Sequence, residues 1–262
     1  MSDRIALDVS DGVAVVRMTR ADKMNALDEA MFDELLRVGE QLSVMSSIRA
    51  VVLHGQGRAF CAGLDLSNFE RMKAGPGHLE LVARTHGLAN VAQQIVLQWR
   101  QLAVPVIAAV HGVALGGGFQ LALGADMRFV HPETRFSVME IRWGLVPDMA
   151  GILLMRELMR PDVVSELTYS GRVFTATEAQ TYGLVTRLCD EPLEAALSFA
   201  KEIAARSPSA IRAAKRLLSI ADDSEPRRIL QAESCEQAAL MGSAEQVEAV
   251  RATQSAARGS VR

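Results

Sequence analysis

Two glycine-containing segments are the first places in this 262-residue chain where residue type and spacing suggest chemistry. The first, Gly57-Arg58-Ala59-Phe60-Cys61-Ala62-Gly63-Leu64-Asp65-Leu66, follows an apolar strand pattern and precedes a helical one. Unpaired N–H groups that converge at such a junction favour a negative ligand, and the helix dipole adds to their field. The second, Gly112-Val113-Ala114-Leu115-Gly116-Gly117-Gly118-Phe119-Gln120, also joins a strand to a helix. Its three consecutive glycines let a ligand or another backbone approach closely. Taken singly, each segment reads more simply as a tight turn. Neither is a nucleotide loop. Gly112 and Gly117 have the Walker spacing, but Gly118 and Phe119 stand where Lys and Ser/Thr are required, and no third glycine completes a dinucleotide fingerprint.

The candidate acids lie further on. Glu140 sits in a segment that is apolar on both sides, and a lone buried carboxylate is costly enough to favour a functional role. Asp148 follows Pro147 and precedes an apolar helical run, so it reads either as a functional acid or as the cap of a helix starting near Met149. The amide of Gln120 does not titrate near neutral pH; it can bind a water, a substrate or neighbouring backbone. His54, His78, His86, His111 and His131 show no metal-ligand spacing, and His111 reads as a packed or hydrogen-bonded residue. Cys61 lacks a His or Asp neighbour in sequence, which favours packing over nucleophilic catalysis. Trp143, Met149, Met155 and Met159 read as core or subunit-contact residues, with Trp143 within reach of a pocket.

These residues need a scaffold. Alternation at Ile5, Leu7 and Val9, the Asp11-Gly12 turn signal and the run from Val13 to Met18 predict a hairpin. Leu27, Met31, Leu35, Leu36 and Leu42 recur at helical spacing, and Ile48 to Leu53 reads as a strand. Residues 64 to 101 are mostly helical in pattern, interrupted at Gly75-Pro76-Gly77 by a loop of the kind that shapes a pocket mouth. Pro105 to Val110, Met127 to Val130 and Phe136 to Met139 read as extended, with a helix opening at Phe119. Thr175 and Glu178 have the spacing of a capping box, Ser207-Pro208 opens another helix, and residues 191 to 258 are almost wholly helical in pattern. The division expected is an α/β core over residues 1 to 190 and a helical region over 191 to 262.

Composition narrows the function class. With 28 Lys and Arg against 31 Asp and Glu, and no block of like charge, an electrostatic case for nucleic acid or an anionic membrane is missing. The most apolar stretch, Leu102 to Phe119, is broken by Pro105, His111 and glycines, so no transmembrane helix is expected. The N-terminal residues lack a signal-peptide or transit-peptide pattern, and three widely spaced cysteines suggest neither a disulfide framework nor a CxxC metal site. A cytoplasmic location fits best.

Together the two glycine segments carry a resemblance to the enoyl-CoA hydratase/isomerase family, the crotonases. It extends through five blocks in order: Lys23-Met24-Asn25-Ala26-Leu27, Ala59 to Leu66, His111 to Gly118, Glu140 to Pro147, and Ala176 to Val185. The resemblance implies a spiral of strand-strand-helix units with a helical C-terminal region, assembled as homotrimers or hexamers. It also implies a fatty acyl-CoA thioester substrate, with coenzyme A entering as part of that substrate, no tightly bound cofactor and no metal. The thioester oxygen would accept hydrogen bonds from the Leu64 and Gly117 N–H groups, each worth on the order of 10² to 10³ in rate by analogy with other oxyanion holes. CoA recognition would fall to Lys23 and Ala26, to Ala62, Leu64, Asp65 and Leu66, and to Gly117.

The chain also departs from the hydratase pattern. Hydratases carry two glutamates; here Gln120 stands at the first position and Glu140 matches the second. Asp148 occupies the position where dienoyl-CoA isomerases of the family carry an aspartate, although they usually have an acid at the Gln120 position as well. The expected reaction is therefore a double-bond shift by Glu140 and Asp148. The alternatives are hydration, with Glu140 activating water that Gln120 orients, and an inert acyl-CoA-binding protein. The family's C-terminal aromatic residues are missing from Thr253 to Val261, leaving Arg258 as a phosphate partner.

Overall fold

The computed structural model describes residues 4–68, 81–221 and 225–259, with side chains as far as residue 251. Strands β1 (Ile5–Ser10) and β2 (Val13–Met18) pair antiparallel around Asp11 and Gly12, whose φ values of 51° and 78° suit a two-residue hairpin. Helix α1 (Glu29–Ser43) opens where the Asp28 side chain accepts a hydrogen bond from Met31 N–H. It buries Met31, Phe32, Leu35, Val38 and Leu42. Leu27, expected inside this helix, lies before its cap and bridges to Leu64.

Strand β3 (Ala50–Gly55), buried at every position, lies parallel to β2; β4 (Val106–Val110), β6 (Met127–Val130) and β9 (Arg187–Leu188) continue the parallel run. A second sheet of β5 (Val113–Leu115), β7 (Arg135–Ser137) and β8 (Val173–Thr175) has the order β5-β7-β8. Helices α2 (Val91–Gln101) and α3 (Gly117–Leu123) complete the first half, α3 opening two residues before the expected Phe119. Helices α4 (Gly151–Leu158), α5 (Pro161–Ser170) and α6 (Ala176–Thr181) follow. The α6 capping box is formed as its spacing predicts: the Thr175 hydroxyl accepts from Glu178 N–H, and Thr175 N–H donates to the Glu178 carboxylate.

The six-stranded sheet has a core on each face. On one, α1 and α2 pack Leu35, Ile95 and Trp99 against β2, β3 and β4; on the other, Ala196, Ala200 and Ala204 of α7 (Pro192–Ala204) cover Val52, Ile107 and Phe129. Helices α8 (Pro208–Ala221), α9 (Pro226–Leu240) and α10 (Ala244–Gly259) end the chain, and α9 buries none of its residues. The architecture is the mixed α/β fold with a helical C-terminal region that the resemblance implies. Among the described residues no helix is long and apolar enough to cross a membrane. Gly75-Pro76-Gly77, His78 and the Arg258 side chain lie outside the described residues.

Candidate active site

The two glycine segments, about fifty residues apart in sequence, run side by side. Phe60 N–H donates to His111 O at 2.9 Å, Cys61 N–H to Val113 O at 3.1 Å, and Leu115 N–H to Cys61 O at 3.1 Å. Close backbone approach requires Gly63, with φ at 88°: a β-carbon there would meet Leu115 O at 2.5 Å and Gly117 N at 3.5 Å.

Accounting for the N–H groups shows which remain free. Leu27 N–H donates to Gly63 O and Asp65 N–H to Leu27 O, so the intervening Leu64 N–H points to the other side of this strand-like pairing. Gly116 N–H is spent on Ser137 O. Among the described residues, neither Leu64 N–H nor Gly117 N–H has a hydrogen-bond partner, and both residues line one cavity of about 730 Å³. Two unpartnered N–H donors on one cavity can stabilise a negative oxygen.

That cavity collects the other expected site residues: Lys23, Ala26, Ala62, Asp65, Leu66, Glu140 and Asp148. Phe32, Leu81, Trp143, Leu145, Val146 and Met149 supply apolar surface. Ala62 and Asp65 cannot offer N–H groups to a ligand, because these donate to Met24 O and Leu27 O. The Asp65 carboxylate pairs with Arg20, which also reaches Asp28 at 3.5 Å. Burial alone would raise the Asp65 carboxyl, but hydrogen bonds from Ser67 and the Arg20 guanidinium outweigh it and hold it at about 2.

Glu140 stands at the start of a 3-10 helix (Glu140–Trp143) and is 9% exposed. Its Oε1 accepts from Gln120 Nε2 at 2.6 Å; its Oε2 is buried with no hydrogen-bond partner among the described residues. Burial pushes the Glu140 carboxyl up, hydrogen bonds from its own N–H and from Gln120 offset part of that, and the Asp148 charge adds to the rise. Asp148 is solvent-accessible from the cavity, yet surrounding protein raises its carboxyl too. It is not a helix cap: α4 starts three residues later, after Ala150, whose φ of 65° places a left-handed turn between them.

Gln120 is the one expected catalytic residue that does not line the cavity. It lies behind the wall, fully buried, with Oε1 accepting from Met149 N–H and Gly151 N–H at 2.9 Å each. Its oxygen is thus engaged by backbone, and its Nε2 donates to Glu140. The bland readings of His111 and Cys61 agree with their surroundings. His111 Nε2 bonds Gly57 O at 2.8 Å, while the fully buried Cys61 thiol donates to Asn25 O and is pushed up by burial to about 12.

Asn25 has no role in the sequence reading beyond its place in a motif block. Its Nδ2 donates to Gln56 O, Ala59 O and Phe60 O at 2.9 to 3.1 Å, fastening the Lys23–Leu27 segment to the first glycine segment. Arg20 likewise has no local mark in the sequence, since its acidic partners lie 8 and 45 residues away.

Comparison with known proteins supplies the family context. The family model for enoyl-CoA hydratase/isomerase matches residues 8–253. The mitochondrial Delta(3,5)-Delta(2,4)-dienoyl-CoA isomerase of Mus musculus is 32% identical over 76% of this chain, which spans 63% of that protein's length. An (E)-benzylidenesuccinyl-CoA hydratase from Thauera aromatica is 29% identical, covering 84% of this chain and 83% of its own. The crystal structure of an enoyl-CoA hydratase from Bacillus anthracis superposes with a TM-score of 0.84 at 28% identity, covering 97% of this chain and 96% of that one.

Proposed function

The chain belongs to the enoyl-CoA hydratase/isomerase family, enzymes that act on CoA thioesters, and from that premise we propose that it shifts a carbon–carbon double bond along an unsaturated acyl-CoA. The observation that carries this reading is the placement of Glu140 and Asp148 on the same cavity as the free Leu64 and Gly117 N–H groups, with Gln120 outside it. One carboxylate removes a proton from the acyl chain, and the electron pair moves through the double-bond system onto the thioester oxygen. The two N–H groups stabilise that oxygen. The other carboxyl, protonated, then returns a proton at a different carbon, so one proton leaves, one arrives and the double bond has moved. Raised carboxyl values suit this exchange, because each acid can change protonation state closer to neutral pH.

A second reading, hydration, is supported by the unpartnered Glu140 Oε2, which can accept a proton from water at the cavity. In either case Lys23 supplies a cation for the CoA phosphates, and Ala26, Ala62, Leu64, Asp65, Leu66 and Gly117 form the rest of the thioester site. The reading includes a cytoplasmic enzyme of fatty acid metabolism and homotrimeric or hexameric assembly. Exposed Leu218, Leu230, Met241, Val247 and Val250 on α8 to α10 support assembly, as apolar surface left for a neighbouring copy.

An ultraviolet assay with crotonyl-CoA, a 3-enoyl-CoA and a 3,5-dienoyl-CoA, each run beside Glu140→Ala, tests the proposal. A change in conjugation with either of the last two, absent in the variant, is the expected result. Loss of crotonyl-CoA absorbance without any shift on the others means hydration, and binding of all three without turnover means an inert acyl-CoA-binding protein; either overturns the isomerase reading.

A further inference from the structure

Gln120 carries an inference about how the two acids are held. The amide has one end that only donates and one that only accepts. Two backbone N–H groups, from Met149 and Gly151, converge on one end at 2.9 Å each, which requires that end to be the oxygen. The other end is therefore the NH₂ group, and it meets Glu140 Oε1 at 2.6 Å. A carboxyl oxygen facing that donor is held as an acceptor. The mobile proton of Glu140 is thereby left to Oε2, the buried oxygen with no partner among the described residues.

The acceptor end acts on the second acid. Met149 and Gly151 bracket Ala150, whose φ of 65° is costly for an alanine, and Asp148 directly precedes this turn. Residue 151 must be glycine for the contact, since a β-carbon there would lie 2.5 Å from Gln120 Oε1. Resting on the proposed reaction, which it deepens, we propose that Gln120 is a positioning residue whose amide fixes Glu140 with its donor end and the Asp148 turn with its acceptor end, setting both carboxyls in register across the cavity. A glutamate is not an equivalent replacement. It would satisfy Met149 and Gly151, but it would set a carboxylate against Glu140 Oε1, and two such groups must share a proton.

Two variants separate the ends of the amide. Gln120→Glu keeps the acceptor and replaces the fixed amide donor with a carboxyl that must share a proton with Glu140; Gln120→Met abolishes both ends. Carbon-13 NMR of glutamate-labelled protein, with the Glu140 signal assigned by its loss in Glu140→Gln, follows the carboxyl directly. In Gln120→Glu the Glu140 signal is expected to titrate at higher pH than in the native protein, with the acid limb of kcat moving the same way. In Gln120→Met, kcat for the thioester that the native enzyme converts is expected to fall on the order of 10²-fold, with KM within about threefold, the pattern of lost alignment and not of lost binding. Native titration of Glu140 in Gln120→Glu overturns the proposal, whether or not Gln120→Met folds. Absence of turnover by the native enzyme contradicts the isomerase reading instead, and leaves the titration to decide the role of Gln120.

Discussion

Glu140 and Asp148 face one cavity, and the charge on Asp148 adds to the burial that lifts the Glu140 carboxyl. A base must be ionised to take a proton, so kcat/KM should rise with pH through a value above the ordinary carboxylate range. Asp148→Asn removes the negative neighbour. The acid limb should then move to lower pH while kcat falls, which a pH–rate profile of both proteins would show; an unmoved limb would mean that the two acids are not coupled.

The same burial has a cost in stability. A carboxyl whose folded value lies above its unfolded one binds more protons when folded, so its contribution becomes destabilising as pH rises from the ordinary carboxylate range through the raised value. Glu140→Gln removes that slope. Urea denaturation should find the variant more stable than native at neutral pH, with the gap shrinking below the ordinary carboxylate range; a constant gap would contradict a raised Glu140.

Gly63 sets the spacing of the two free N–H groups. Gly63→Ala forces a β-carbon against Leu115 O at a φ of 88° that alanine resists, and should lower kcat on the order of 10²- to 10³-fold, as loss of an oxyanion donor does. Gly87→Ala is the control: its φ is also positive, at 65°, but the added carbon meets nothing within 4 Å. Steady-state kinetics on both variants separate backbone strain from damage to the site.

Lys215 fastens α8 to the core, its buried ammonium donating to Trp99 O at 3.1 Å, Val104 O at 2.6 Å and Asp126 Oδ2 at 2.8 Å. Lys215→Met strips the buried Trp99 and Val104 carbonyls of their donor and should cost about 1–3 kcal/mol, measured by urea denaturation. A change below about 0.5 kcal/mol would place this lysine with ordinary surface residues.

Cys61 should be inert. Its thiol is fully buried and raised to about 12, whereas Cys235 is exposed, so iodoacetamide should label Cys235 in the native protein and Cys61 only after unfolding. Rapid native labelling of Cys61 with loss of activity would reopen the nucleophile reading.

What the sequence makes legible here is mostly local. The Asp11-Gly12 hairpin, the Thr175–Glu178 capping box and the helix at Pro208 each depend on a few neighbouring residues, and they form as their patterns predict. The glycine segments could be singled out because close backbone approach excludes side chains. Asp148 shows where such reading fails: Pro-Asp before an apolar run suits a cap, but the left-handed turn at Ala150 moves the helix start beyond its reach. Gln120 could be recognised as uncharged, whereas its direction depends on Met149 and Gly151, 29 and 31 residues away. The reach of Arg20 to Asp65 and the three-carbonyl grip of Asn25 are likewise products of tertiary approach, with no spacing rule to announce them.

The most direct test of the central claim, that Glu140 and Asp148 move a proton and not a water, is mass spectrometry of the product formed from a 3,5-dienoyl-CoA in water enriched in heavy oxygen. An isomer of unchanged mass carrying no heavy oxygen, formed by the native enzyme and lost in Glu140→Ala, is the predicted result. A product heavier by one labelled water would contradict the account and assign the cavity to hydration.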